Sequence, residues 1–113
     1  MAKDDYFVIV YQILSYLYVK LKAGEVVDGQ MLKHDSQYLH INERYWIYII
    51  TNMLEMGLIT GPVITTTWGN EIIISELDRT QITPLGIEYL CENSFIEKAK
   101  NFLKDAKAIV PFV

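Results

Sequence analysis

The sequence predicts an α+β domain that is mainly helical. Three observations carry this: a long apolar run near the N-terminus, an amphipathic stretch of helical period that stops at a glycine, and a β-branched hairpin pattern followed by a proline-started helix. The 113 residues suit one domain, and a chain half apolar and 21% charged has the composition of a folded protein rather than a disordered one.

The first helix is expected to begin at a cap provided by Asp4 or Asp5 and to run to about Lys22, where Ala23-Gly24 ends it. Its apolar core, Tyr6 to Val19, has only Gln12 and Ser15 as clearly polar members. That run is about 14 residues, short of the roughly 20 that a membrane-spanning helix needs. A buried helix covered on more than one side, with no membrane contact, is therefore expected. The N-terminus carries acids where a secretory signal would be basic, and no small-residue cleavage site follows the run. With a single cysteine, Cys91, the chain has no internal disulfide, and a reducing cytoplasm is the expected compartment.

Asp28-Gly29 is a turn signal, and Met31 to Leu39 is expected to hold a short helix. Asn42 then caps a helix over Glu43 to Met56, stopped by Gly57. Setting residues about 100° apart puts Trp46, Ile49, Ile50, Met53 and Leu54 on one side. Arg44, Tyr48, Thr51, Asn52 and Glu55 fall on the other. Beyond Gly57 the texture turns β. Leu58-Ile59, Val63 to Thr67 and Glu71 to Ser75 read as strands, with Trp68-Gly69-Asn70 as a hairpin turn. Thr83 caps a helix that has Pro84 at its first position and breaks near Glu92-Asn93-Ser94. The final helix, Phe95 to Ala108, sets Phe95, Ala99, Phe102, Ala106 and Ile109 on one apolar face.

This order is that of a winged helix-turn-helix, three helices and a β-hairpin wing, with an added C-terminal helix. The expected division is a winged-helix domain over residues 1–94 and, over 95–113, an amphipathic helix that packs on the same domain. Leu39-His40-Ile41-Asn42 resembles the Leu-Gly-Val-Ser step before recognition helices. His40 stands in the glycine's place, so a positive φ is not expected there. Leu54 to Ile59 resembles the Leu-x-x-x-Gly-Leu-Ile exit into a wing, and Ile82 to Leu90 the Leu-Thr-x-x-Gly-x-x-x-Leu entry to the helix behind it. Thr83, Gly86, Glu88, Tyr89, Leu90, Glu92 and Asn93, together with the last helix, resemble the YjcQ family over roughly residues 35–110. That resemblance implies a small winged-helix protein of Gram-positive bacteria and their phages, with a regulatory role of phage or prophage kind.

In such a fold the exposed residues of the third helix meet base edges in the major groove. Here these are Arg44, Tyr48, Thr51 and Asn52, with Tyr45 beside them. Arg suits guanine and Asn suits adenine, so the residue types allow double-stranded DNA as a partner. Charge opposes it. Lys and Arg number 10 against 14 Asp and Glu, a net charge of −4. The helix has one cation between Glu43 and Glu55, and the wing residues Thr65 to Asn70 have none for a phosphate. Trp68 at the wing tip suits either a protein partner or packing on its own hairpin or the neighbouring helix. A DNA-binding regulatory protein is the expected function, and a protein–protein interaction module without DNA is the alternative.

Residues 58–94 set Glu71, Glu76, Asp78, Glu88 and Glu92 against Arg79, a net of −4. Residues 95–113 set Lys98, Lys100, Lys104 and Lys107 against Glu97 and Asp105, a net of +2, which reads as a solvated helix face, with a basic stripe for phosphates as the alternative. The last helix either covers the first helix within one chain or pairs with a second copy, so monomer and homodimer both remain open. The apolar Ile109 to Val113 segment is expected to dock on its own chain or on a partner. No catalytic, metal or cofactor site is expected. His34 and His40 lie six residues apart, not the three or four that would place two ligands on one helical face. Cys91 is expected as an inert, half-buried thiol next to Glu92.

Overall fold

The computed structural model describes residues 1–105, an α+β arrangement that is mainly helical. Expectations for Ala106 to Val113, including Lys107 and the apolar segment from Ile109, lie outside the described residues.

Helix α1 (Tyr6–Ala23) is the spine. Its ten consecutive residues Val8 to Leu17 are all buried, so every side of the helix is covered. Asp5 occupies the N-cap position but gives α1 no side-chain bond. Its carboxylate accepts instead from the Ala2 N–H at 2.8 Å, so the expected acidic cap closes an upstream turn. Gly24 ends α1 in the left-handed region at φ 69°, as its lack of a Cβ permits.

The short helix expected over Met31 to Leu39 does not form. A 3-10 turn at Gly29–Leu32 is followed by a run of turns. Side chains here compete for the backbone groups that a helix would use. Asp28 accepts from the Gln30 N–H, while the Ser36 hydroxyl donates to the Met31 carbonyl and accepts from the Leu39 N–H. The segment is tied to the spine at two points. Tyr16 Oη accepts from the Asp28 N–H at 2.9 Å, and Tyr38 Oη donates to the Gln12 carbonyl at 2.6 Å. Burial holds the Tyr38 phenol well above its ordinary pKa. His40 adopts φ 45°, against expectation. Bonds from His40 N to Ser36 O and from Ile41 N to His34 O hold that turn, and they outweigh the cost of a side chain at positive φ.

Helix α2 (Glu43–Glu55) starts where Asn42 Oδ1 accepts from the N–H groups of Arg44 and Tyr45. It buries Trp46, Ile49, Ile50 and Met53, with Leu54 half-buried, as its period predicts. Trp46 Nε1 donates to the Leu32 carbonyl at 2.8 Å, so its one polar atom is satisfied inside the core.

A long hairpin follows. Strand β1 (Ile59–Thr60) pairs antiparallel with β4 (Gln81–Ile82), and β2 (Val63–Thr66) pairs with β3 (Ile72–Ser75). Between β3 and β4 a 3-10 turn, Leu77–Arg79, interrupts the ladder and buries Leu77. Helix α3 (Pro84–Glu92) begins at Thr83, whose hydroxyl accepts from the Gly86 N–H and donates to the Gly57 carbonyl. Asn93 then breaks the chain and caps α4 (Ser94–Asp105) through bonds from the N–H groups of Phe95 and Ile96.

Helix α4 lies against α1 and α3. Its core face is Ile96, Ala99 and Leu103, not the stripe through Phe95, Ala99 and Phe102 that its period suggests. Phe102 is only half-buried. Phe95 is half exposed and stacks on Phe7, with ring centroids 4.9 Å apart. The helix is turned so that a flat ring covers the start of α1 while the branched side chains fill the interior.

Candidate functional site

The outward side of α2 and the far end of the hairpin enclose a groove of about 480 Å³. Arg44, Tyr48, Thr51 and Asn52 line it from α2, together with Glu43 and Ile47; Asn70, Glu71 and Ile72 line it from the hairpin. Four of the six residues that the sequence nominated are therefore neighbours. Tyr48 is 60% exposed and meets the Tyr6 ring edge-on at 6.3 Å, which gives the ring a fixed backing. Asn52 Nδ2 donates to the Tyr48 carbonyl at 2.7 Å, so part of its bonding capacity is spent on its own helix.

The other two stand apart. Tyr45 points toward the N-terminus, where its hydroxyl donates to the Asp4 carbonyl at 2.7 Å. It lines a separate hollow with His34 and His40. Burial, with Asp4 and Asp5 nearby, holds its phenol above the usual range. Trp68 is at the hairpin turn with its whole side chain in solvent, and it does not line the groove. It packs on neither its own hairpin nor α2.

Sequence reasoning missed Ile47, Asn70, Glu71 and Ile72. Ile47 sits on the flank between the two stripes of α2. Only the way the hairpin folds back toward α2 brings Ile72 beside it. The groove carries two carboxylates, Glu43 and Glu71, against the Arg44 guanidinium. Arg44 forms no ion pair among the described residues, whereas Glu43 lies 3.2 Å from His34 Nε2.

His34 also packs against Trp46, with ring centroids 5.6 Å apart, so it serves the start of α2. Among the described residues no group of three His, Cys, Asp or Glu could hold a metal ion. Cys91 is exposed, where a half-buried thiol is expected; α4 covers the neighbouring side of α3 and leaves position 91 outside. Lys22, Lys100 and Lys104 line an open cleft between α1 and α4. No described helix is long and apolar enough to cross a membrane.

The chain belongs to the YjcQ family: the model of that family, described as YjcQ protein, matches residues 11–109. The match takes in α1 from Tyr11 onward as well as the motifs around the hairpin and α3. No curated protein and no solved structure matches the chain.

Proposed function

We propose that this protein is a non-catalytic docking module on a winged-helix framework, with the α2–hairpin groove as the seat for a protein partner. The framework reading rests on the order of elements: α1, a turn-rich segment in place of a second helix, α2, the hairpin, then α3. A regulatory role of phage or prophage kind is the setting that the family resemblance suggests, and the single cysteine fits a reducing cytoplasm.

One observation carries the docking reading. The groove combines Ile47, Ile72 and a largely exposed, ring-backed Tyr48, and the fully exposed Trp68 stands at the turn of the same hairpin. Exposed aromatic side chains with apolar surroundings are the usual anchors of protein interfaces. The charge points the same way. A duplex meeting this face would find Glu43 and Glu71 against a single arginine, and no lysine.

Double-stranded DNA is the second reading, favoured by Arg44, which is exposed and without an ion pair among the described residues. Titration against mixed duplex DNA at several salt concentrations separates the two. The docking reading expects no steeply salt-dependent binding. Binding that weakens steeply with salt overturns it. In that event Arg44→Ala should cost about 1–3 kcal/mol at a site where the arginine meets guanine. For the docking reading, a photo-crosslinker in place of Thr51 should give a discrete protein adduct that Tyr48→Ala abolishes.

A further inference from the structure

Among the described residues, strand β2 has a free edge with no charge on it. In antiparallel strands, bonded and non-bonded pairs alternate. The Thr67 N–H donates to the Glu71 carbonyl at 2.8 Å, and β2 and β3 are in register as Thr66 with Ile72, Thr65 with Ile73, Ile64 with Ile74 and Val63 with Ser75. Counting from the Thr67 bond, Thr65 and Val63 bond inward to β3. Ile64 and Thr66 therefore direct their N–H and C=O groups outward, away from β3. All four residues of β2 are exposed, and β3 is the only strand that pairs with it among the described residues.

Soluble proteins guard such edges with lysine, proline, a bulge or a covering element. Within β2 none of these is present. From Met56 through Asn70 the chain has no ionisable side chain at all. The edge of β3 differs on both counts. It is bracketed by Glu71 and Glu76, and its residues Ile72 and Ile74 line the hollows shared with α2 and with the Val27 to Lys33 segment.

We propose that β2 is a self-association edge, on which a second copy of this chain pairs β2 to β2, antiparallel, to form a four-stranded sheet. Charge selects both the strand and the occupant. Two β3 edges in the same arrangement, with the twofold at Ile73, would set Glu71 opposite Ser75 of the other copy and one residue from its Glu76, so carboxylates crowd both ends of the pairing in a molecule already at −4. Two β2 edges bring together only Val, Ile and Thr. With the twofold axis at Thr65, Ile64 of each copy faces Thr66 of the other, and the outward N–H and C=O groups of all four residues find partners. The contact is isologous and closes at two copies, because pairing β2 to β2 uses the same edge of both chains. It leaves the α2–hairpin groove open, so it stands independently of the docking reading.

Sedimentation velocity on the full chain, from about 1 μM to about 1 mM, tests it. The expected result is a concentration-dependent monomer–dimer equilibrium. Thr65→Lys sets two cations across the twofold, and Thr66→Pro removes an outward N–H while sparing the bonds to β3. Each should weaken self-association at least ~tenfold, while Tyr48→Ala leaves it unchanged. A monomer throughout the range overturns the proposal, and so does a dimer that both substitutions leave intact. Should the proline variant lose its fold, the lysine variant decides alone, since Thr65 is exposed.

Discussion

Helix α1 and the β2–β3 hairpin are both apolar in sequence, yet they meet opposite fates. Val8 to Leu17 of α1 are buried without a break, whereas of the eight residues in β2 and β3 only Ile74 is even half-buried. Apolarity alone therefore does not decide burial. The helix lies where α2, α3, α4 and β4 converge, so each turn between Val8 and Leu17 has a neighbour. Past the point where Leu77 enters the core the hairpin is held chiefly by its own ladder, and Ile72 and Ile74 reach the hollows shared with α2 and the Val27 to Lys33 segment. Apolar burial is concentrated in α1, while the hairpin leaves much of its apolar surface exposed.

The largest effect expected from this contrast is at the spine. Ile13→Ala leaves a cavity at a fully buried position and should cost about 2–5 kcal/mol, read from urea unfolding. Gly86→Ala comes next. A methyl group there would fall on the Leu58 carbonyl where α3 crosses the hairpin base, so about 1–3 kcal/mol is expected despite alanine's better helix propensity. At the joint between the spine and the turn-rich segment, Tyr38→Phe should cost about 0.5–1.5 kcal/mol through the lost bond to Gln12.

The same tyrosine predicts a pH effect. Burial raises its pKa, so the folded state keeps the phenolic proton where the unfolded chain releases it. Its contribution is complete below about pH 10 and declines as pH rises beyond that. Urea midpoints between pH 8 and 11 should fall, less steeply in Tyr38→Phe. Smallest of all, Trp68→Ala and Thr65→Lys should shift stability by no more than about 0.5 kcal/mol, since both positions face solvent. A large loss at Trp68 would mean that the hairpin tip packs on its own chain, and the contrast with α1 would fail.

How far the site was legible follows from the range of the forces involved. The period of α2 is enough to turn Arg44, Tyr48, Thr51 and Asn52 outward, because a stripe on one helix is a local property. It did not separate Tyr45 from Tyr48, since the anchor for Tyr45 is the Asp4 carbonyl, 41 residues away in sequence. Ile72 looked like any strand residue until the hairpin folded back beside Ile47.

The local sequence by itself determined where elements start and stop. Asn42, Thr83 and Asn93 satisfy N–H groups two or three residues ahead of them, and Gly24 and Gly57 accept a left-handed turn, which involves only near neighbours. Tertiary structure decided which faces are used. Residues 33–41 became turns because Tyr38 reaches the Gln12 carbonyl while Tyr16 and Trp46 hold Asp28 and Leu32, and those contacts, added to the local Ser36 bonds, outweigh a weak helical preference. Helix α4 buries Ile96 and Leu103, and shows Phe95 to Phe7, because α1 offers a surface that those shapes fill. Apolar period names the candidates for burial; the partner surface chooses among them.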